Sequence, residues 1–294
     1  MTSLADHQSD DEHFKILTSM NKAWLRPLML ALAVLVANPV SAQISSRKTI
    51  NPEGQFAKLT GQIAQAGPSD GEFANGFIIG TEGCHILTNF HVAFGKAKDS
   101  NTGVVEMVDD VKVGHRVNFA FDLDATSGKF KRTVIARVVE FGNYEAGTSR
   151  GFLGDIALLR LEMCLGEEYG HLEIDRPGSN KILPTGKLMT VSSSRNLSGK
   201  NEILAEEGCR PDNATTIVGM MLASCEIVGG MSGSMILEEG ADKQWRLVGI
   251  ATAAGAIENG KQVTKAIYAI AINKFLDGAL GKWSVAPFVR KRKP

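Results

Sequence analysis

Neither sign of charge predominates in this chain: lysine plus arginine and aspartate plus glutamate each number 32, so the formal net charge is zero and the sequence pI is near 7.0. Such balance gives no footing for a nucleic-acid partner, and the basic cluster Arg290-Lys291-Arg292-Lys293, within the tail at 284–294, reads as solvated. Long apolar runs are scarce too. The run at 28–36 is shorter than the roughly 18 residues of a spanning helix, so no stable membrane span is expected once the N-terminal segment is removed. Cysteine is sparse, with only Cys84, Cys164, Cys209 and Cys225, and none stands in a Cys-x-x-Cys pair or beside paired histidines. No metal site is therefore expected, and no motif asks for a cofactor.

What the chain does contain suits a folded, exported protein. Of its 294 residues, 44% are hydrophobic and 22% charged, enough to bury a sizeable core. Asn21-Lys22-Ala23-Trp24-Leu25-Arg26 supplies a positive segment, 28–36 an apolar one, and Val40-Ser41-Ala42 a small-x-small cleavage pattern. The reading is a signal peptide at 1–42, with Met20 a candidate true start, and a flexible leader at 43–54. All four cysteines follow the cleavage site, and an even count in an exported chain implies disulfides, with three pairings open. The destination is periplasmic or secreted.

Three segments carry the chemistry: Thr88-Asn89-Phe90-His91-Val92, then Gly154-Asp155-Ile156-Ala157-Leu158-Leu159, then Gly229-Gly230-Met231-Ser232-Gly233-Ser234. A serine hydroxyl is a poor nucleophile unless an imidazole takes its proton, and the imidazole works best when a carboxylate fixes its tautomer. His91 supplies the base, Asp155 the orienting carboxylate and Ser232 the nucleophile. Their separations, 64 residues (155 − 91) and 77 residues (232 − 155), each leave room for several strands. Backbone N–H groups of Gly230 and Ser232 form the expected oxyanion hole, in a loop whose glycines tolerate unusual backbone angles.

The neighbourhood of each segment agrees. An apolar run at 77–79, a turn at Thr81-Glu82-Gly83 and a second run at 86–88 make a hairpin that ends just before His91. Asp155 heads another strand-length apolar run. The rival groups fit less well: Ser234 reads as a loop or strand-start residue, Ser192-Ser193-Ser194 as a polar turn, and His85 lies at the wrong end of its strand. His115 and His171 have no motif around them. Ser234 in the last place breaks a Gly-x-Ser-x-Gly elbow, which with the His-before-Ser order argues against an α/β-hydrolase elbow.

In these motifs the chain resembles the trypsin-like, chymotrypsin-fold serine peptidases, above all their bacterial secreted members. The Thr-Asn-x-His motif places His91, Asp-Ile-Ala-Leu-Leu places Asp155, and Gly-x-Ser-Gly places Ser232; the likeness spans about 55–280. It implies an all-β fold of two six-stranded antiparallel Greek-key barrels, one at 55–175 with the histidine and aspartate, one at 176–283 with the serine. It also favours pairing Cys84 with Cys164 and Cys209 with Cys225. The implied activity is that of an exported serine endopeptidase acting on peptide or protein substrates. The alternative is a silent relative that keeps the barrels as a binding module.

The rest of the chain is consistent with short strands at 111–117, 133–139, 157–161, 188–191, 217–225, 234–237, 245–252 and 266–272. The polar stretch at 167–181 connects the halves, and 272–280 forms a short closing helix. By resemblance, the strand at 247–253 pairs with the substrate backbone, and Glu226, Thr252, Ala253 and Ala254 wall the side-chain pocket. Glu226 stands six residues before Ser232, where trypsin carries the acid that selects basic side chains, although Cys225 and Val228 alter that loop. Met231 replaces the aspartate that zymogens of the digestive branch use to hold a released amino terminus, so maturation is expected to need only signal-peptide removal. No PDZ-like segment follows the second barrel, which points away from the quality-control branch.

Overall fold

The computed structural model describes residues 47–65, 74–80, 82–95, 107–108, 110–144, 153–172, 184–195, 198–212, 219–225, 230–258, 261–268, 272 and 275–276. The expected signal peptide lies outside the described residues. Six antiparallel strands, β2 (Thr60–Gln65), β3 (Ala74–Ile79), β4 (His85–Thr88), β5 (Arg116–Asp124), β6 (Lys129–Phe141) and β7 (Ala157–Leu161), close into a barrel in the order β2-β3-β4-β7-β6-β5. Strand β5 shows why these residues make a barrel wall. Val117, Phe119, Phe121 and Leu123 are buried while the residues between them are partly exposed, the period-2 alternation of a sheet with one face inward. Side chains of this size each contribute roughly 1.5–3 kcal/mol when fully buried.

The strand expected at 111–117 is displaced. Val111 and Val113 are exposed and Gly114 has a φ of 89°, so β5 starts only at Arg116; before it, the Gly114 N–H donates to Val138 O at 2.7 Å and His115 O accepts the Val138 N–H at 2.9 Å. The turn at 82–83 is where the hairpin reading puts it, with the Gly83 N–H donating to Gly80 O at 2.8 Å.

Among the described residues, the second half is an antiparallel sheet of eight strands. β8 (Leu188–Arg195), β9 (Asn201–Cys209), β11 (Met220–Ala223), β12 (Met235–Glu239), β13 (Trp245–Glu258) and β14 (Lys261–Tyr268) match the expected number. Two-residue edge strands join them: β10 (Pro211–Asp212) and β1 (Lys48–Thr49), the latter from the expected leader. The expected strands at 217–225 and 266–272 are β11 and β14, each shifted or trimmed. Of the closing helix at 272–280, Ile272, Phe275 and Leu276 are described, and all three are helical. Leu172, in the connector, bridges to Ile79.

Strand β12 is buried on both faces. Met235 and Leu237 enter a large core shared with the first barrel, whereas Ile236 enters a separate core with Leu188, Met221, Val248 and Met231. A strand so placed reads as a continuous apolar run rather than an alternating one. The serine run at 192–194 corrects the sequence reading: it belongs to β8, not a turn, and Ser192 and Ser193 are buried. Packing between the two halves overrides the polar composition there.

Two disulfides join Cys84 to Cys164 and Cys209 to Cys225. The first ties the start of β4 to the end of β7, beside the Leu161 N–H bond to Cys84 O at 2.9 Å. Glu82 lies beside these two sulfurs, but their disulfide leaves no thiolate for a metal. The second bridge closes a sequence separation of 16 residues, worth on the order of 3 kcal/mol by restricting the unfolded chain. Removing it with paired Cys→Ala changes is expected to lower the urea midpoint accordingly and to weaken substrate binding, since Cys225 leads into the expected pocket. The Cys84 pair should affect stability without that binding defect. Urea titration with KM measurement checks both.

Candidate active site

Register places His91 and Asp155 at one rim of the barrel. Thr88 at the end of β4 pairs with Ala157 at the start of β7, so His91, three residues on, and Asp155, two residues before, emerge at the same end of the barrel. His91 sits in a short helix, Phe90–Phe94, whose Phe90 and Phe94 are buried against Phe141. Asp155 is 2% exposed. Its carboxylate lies 2.8 Å (Oδ2) and 3.0 Å (Oδ1) from His91 Nδ1, and Oδ1 also accepts the His91 backbone N–H at 3.0 Å.

A carboxylate on Nδ1 keeps the proton there and leaves Nε2 with its lone pair, the tautomer a general base needs. Asn89 adds a second restraint by donating from Nδ2 to Asp155 O at 2.8 Å. The ring of Tyr144 stacks on Phe90, with its centroid 6.2 Å from that of His91. Burial first, and then the Asp155 charge, push the Tyr144 phenol up, so it stays neutral beside the pair.

The rival histidine, His85, pairs with Arg160 at the other end of β4. Burial, with Arg160 adding to it, holds its imidazole below the ordinary value, and burial does the same for His115. The unfolded chain therefore takes up these protons first, so stability is retained above the ordinary imidazole value and falls as pH drops through it. Urea midpoints are expected to fall between about pH 7 and pH 5, with a shallower fall in His85→Gln.

Ser232 lies in a tight turn between the halves. Gly230 and Gly233 take φ values of 83° and 82°, which glycine adopts without strain. The Gly233 N–H donates to Ala251 O at 2.9 Å and the Ala251 N–H to Ser234 O at 2.9 Å, which fixes the turn against β13. Ser234 is fully buried, and its hydroxyl donates to Met231 O at 2.5 Å, as suits a structural residue. Among the described residues, the Ser232 hydroxyl, the Gly230 and Ser232 N–H groups and His91 Nε2 make no hydrogen bond. Met231 is buried, and the Arg47 guanidinium reaches its Sδ at 3.0 Å, so the segment beside β1 touches the residue before the serine.

The expected substrate strand is β13. It pairs with β12 as far as Ile250, and from Ala253 to Glu258 it pairs with β14 alone among the described strands. Thr252 is buried at the start of that stretch. Ala253 and Ala254 belong to the same strand, while Glu226 lies outside the described residues. Asn75 was not legible as a site residue. Its one signal in the sequence is a polar side chain heading the apolar strand Ala74-Asn75-Gly76-Phe77.

Residues 74–250 match the family model of a trypsin-like peptidase domain, a span that includes His91, Asp155 and Ser232. No curated protein matches the chain. Among solved structures, the chain is similar to a Glu endopeptidase (TM-score 0.53, 16% identity, covering 81% of this chain and 98% of that one). It is also similar to the protease Anisep from Arthrobacter nicotinovorans (TM-score 0.54, 11% identity, covering 80% and 99%). At these identities the likeness concerns the fold.

Proposed function

Since the chain belongs to the trypsin-like peptidase family, we propose that it is an exported serine endopeptidase working through His91, Asp155 and Ser232. The observation that carries this reading is the buried Asp155 carboxylate on His91 Nδ1. Ser232 Oγ attacks the scissile carbonyl carbon as its proton passes to His91 Nε2. The carbonyl oxygen becomes an oxyanion, held by the Gly230 and Ser232 N–H groups. His91 then gives the proton to the departing amine, and water repeats the sequence to release the acyl group.

Substrate binding follows from β13. An extended peptide adds to its edge beyond Ala251 through main-chain hydrogen bonds, which serve many sequences alike. Side-chain selection falls to Glu226, Thr252, Ala253 and Ala254. The two disulfides support export to an oxidising compartment.

A silent binding module is the second reading, favoured by one observation: among the described residues Ser232 and His91 share no hydrogen bond. Such bonds are often loose before substrate arrives. Incubating the purified chain with a peptide library separates the two. The enzyme cuts internal peptide bonds, stops when treated with a phosphonofluoridate, and reports its side-chain preference. A binding module leaves the library intact.

A further inference from the structure

Every polar group of Asn75 is engaged, and each bond reaches a part of the chain distant in sequence. This residue, at the head of β3, is fully buried. Its backbone N–H donates to Ser232 O at 2.7 Å, and its carbonyl accepts the Thr88 hydroxyl at 2.6 Å. Its side-chain Nδ2 donates to Gly230 O at 2.9 Å, while Oδ1 accepts the Ser193 N–H of β8 at 2.5 Å. One residue thus joins the serine turn, the second sheet and the strand that ends three residues before His91.

The two bonds to the turn bracket its reactive centre. Gly230 O belongs to the peptide plane between Gly230 and Met231, and Ser232 O to the plane between Ser232 and Gly233. Between them lies the Met231–Ser232 peptide, which carries the Ser232 N–H. With glycines at both ends of the turn, nothing intrinsic to the chain fixes these planes, because glycine reaches many backbone conformations at little cost. The fit is close on the far side as well. A Cβ on Gly233 would come within 1.9 Å of Asn75 O and 2.9 Å of Thr88 Oγ1, so the turn rests directly on Asn75.

The main-chain bond to Ser232 is open to any residue at this position. The bonds to Gly230 O and Ser193 N are not: they need a donor and an acceptor together on one short arm, which an asparagine amide provides. On the reading of Ser232 as nucleophile, we propose that Asn75 is a positioning residue whose side-chain amide sets the serine turn and its oxyanion donors against the His91 strand. It touches no reacting atom, and it acts through the direction of the Ser232 N–H and the Gly230 peptide.

Its signature is a loss in turnover rather than in binding. Misplacing reacting groups by about 1 Å costs on the order of 10²-fold in rate. Asn75→Ala is expected to lower kcat by about 10- to 100-fold with KM changed less than about threefold. Phosphonofluoridate labelling of Ser232 should slow in parallel. The acidic limb of the kcat/KM profile should stay in place, because the His91 and Asp155 contact is untouched. Asn75→Asp has the same shape, keeps an acceptor for Ser193 and sets an oxygen against Gly230 O. It should lose kcat too, and it decides the matter if the alanine variant does not fold. A folded variant of either kind with kcat and labelling rate within about twofold of the unsubstituted chain overturns the proposal. Failure of the unsubstituted chain to label at Ser232 contradicts the nucleophile assignment instead, which keeps the two readings separable.

Discussion

Asp155→Asn is expected to cut kcat by about 10⁴-fold while the protein stays folded and KM changes little. The size is that expected when an amide replaces the carboxylate in a Ser-His-Asp group of this kind, by analogy. Its cause lies in the hydrogen bonds around Asp155. An amide is isosteric with the carboxylate, and its oxygen can still accept the His91 backbone N–H now bound by Oδ1. Its NH₂, however, faces Nδ1 as a donor, which drives the imidazole proton to Nε2. His91 then has no lone pair for the Ser232 proton. A steady-state comparison of Asp155→Asn with the unsubstituted chain measures this, and a loss of less than about tenfold means that Asp155 does not orient the base.

Ser232→Ala should abolish turnover, by about 10⁴- to 10⁶-fold, with the urea midpoint unchanged. Stability is spared because the Ser232 hydroxyl makes no hydrogen bond among the described residues, so its removal leaves no orphaned partner. Ser234→Ala should behave in the opposite way. Its hydroxyl is buried and bonded to Met231 O, so the protein loses roughly 1 kcal/mol of stability and keeps most of its activity. Activity assays and urea curves on the two variants side by side separate a nucleophile from a structural serine. Loss of turnover in Ser234→Ala alone would reverse the roles.

How far the sequence spoke depended on where each residue's information resides. The rim placement of His91 and Asp155 was legible because β4 and β7 are plain apolar runs, and their pairing brings both residues to one end. The turn at 82–83 was legible because a glycine there takes positive φ. Strand β2, Thr-Gly-Gln-Ile-Ala-Gln, and strand β9, Asn-Glu-Ile-Leu-Ala-Glu-Glu-Gly-Cys, have too few branched or aromatic residues to read as strands. Their state comes from the ladders on either side of them. The serines of β8 looked like a turn for the same reason: burial between two packed halves is a tertiary fact. Asn75 was hidden because three of its partners, at positions 193, 230 and 232, belong to the other half, so those contacts exist only once both halves are assembled.

The most direct measurement is to label the purified chain with a phosphonofluoridate, digest it and locate the adduct by mass spectrometry. Only a serine whose proton has an acceptor reacts at useful speed, so the adduct identifies the nucleophile without reference to any substrate. One phosphonyl group per chain, on Ser232 and absent from Asp155→Asn over the same interval, is the expected result. Stoichiometric labelling on Ser234 or another residue, or no labelling of a folded chain that still cleaves peptides, would contradict the assignment of Ser232, His91 and Asp155 as the catalytic group.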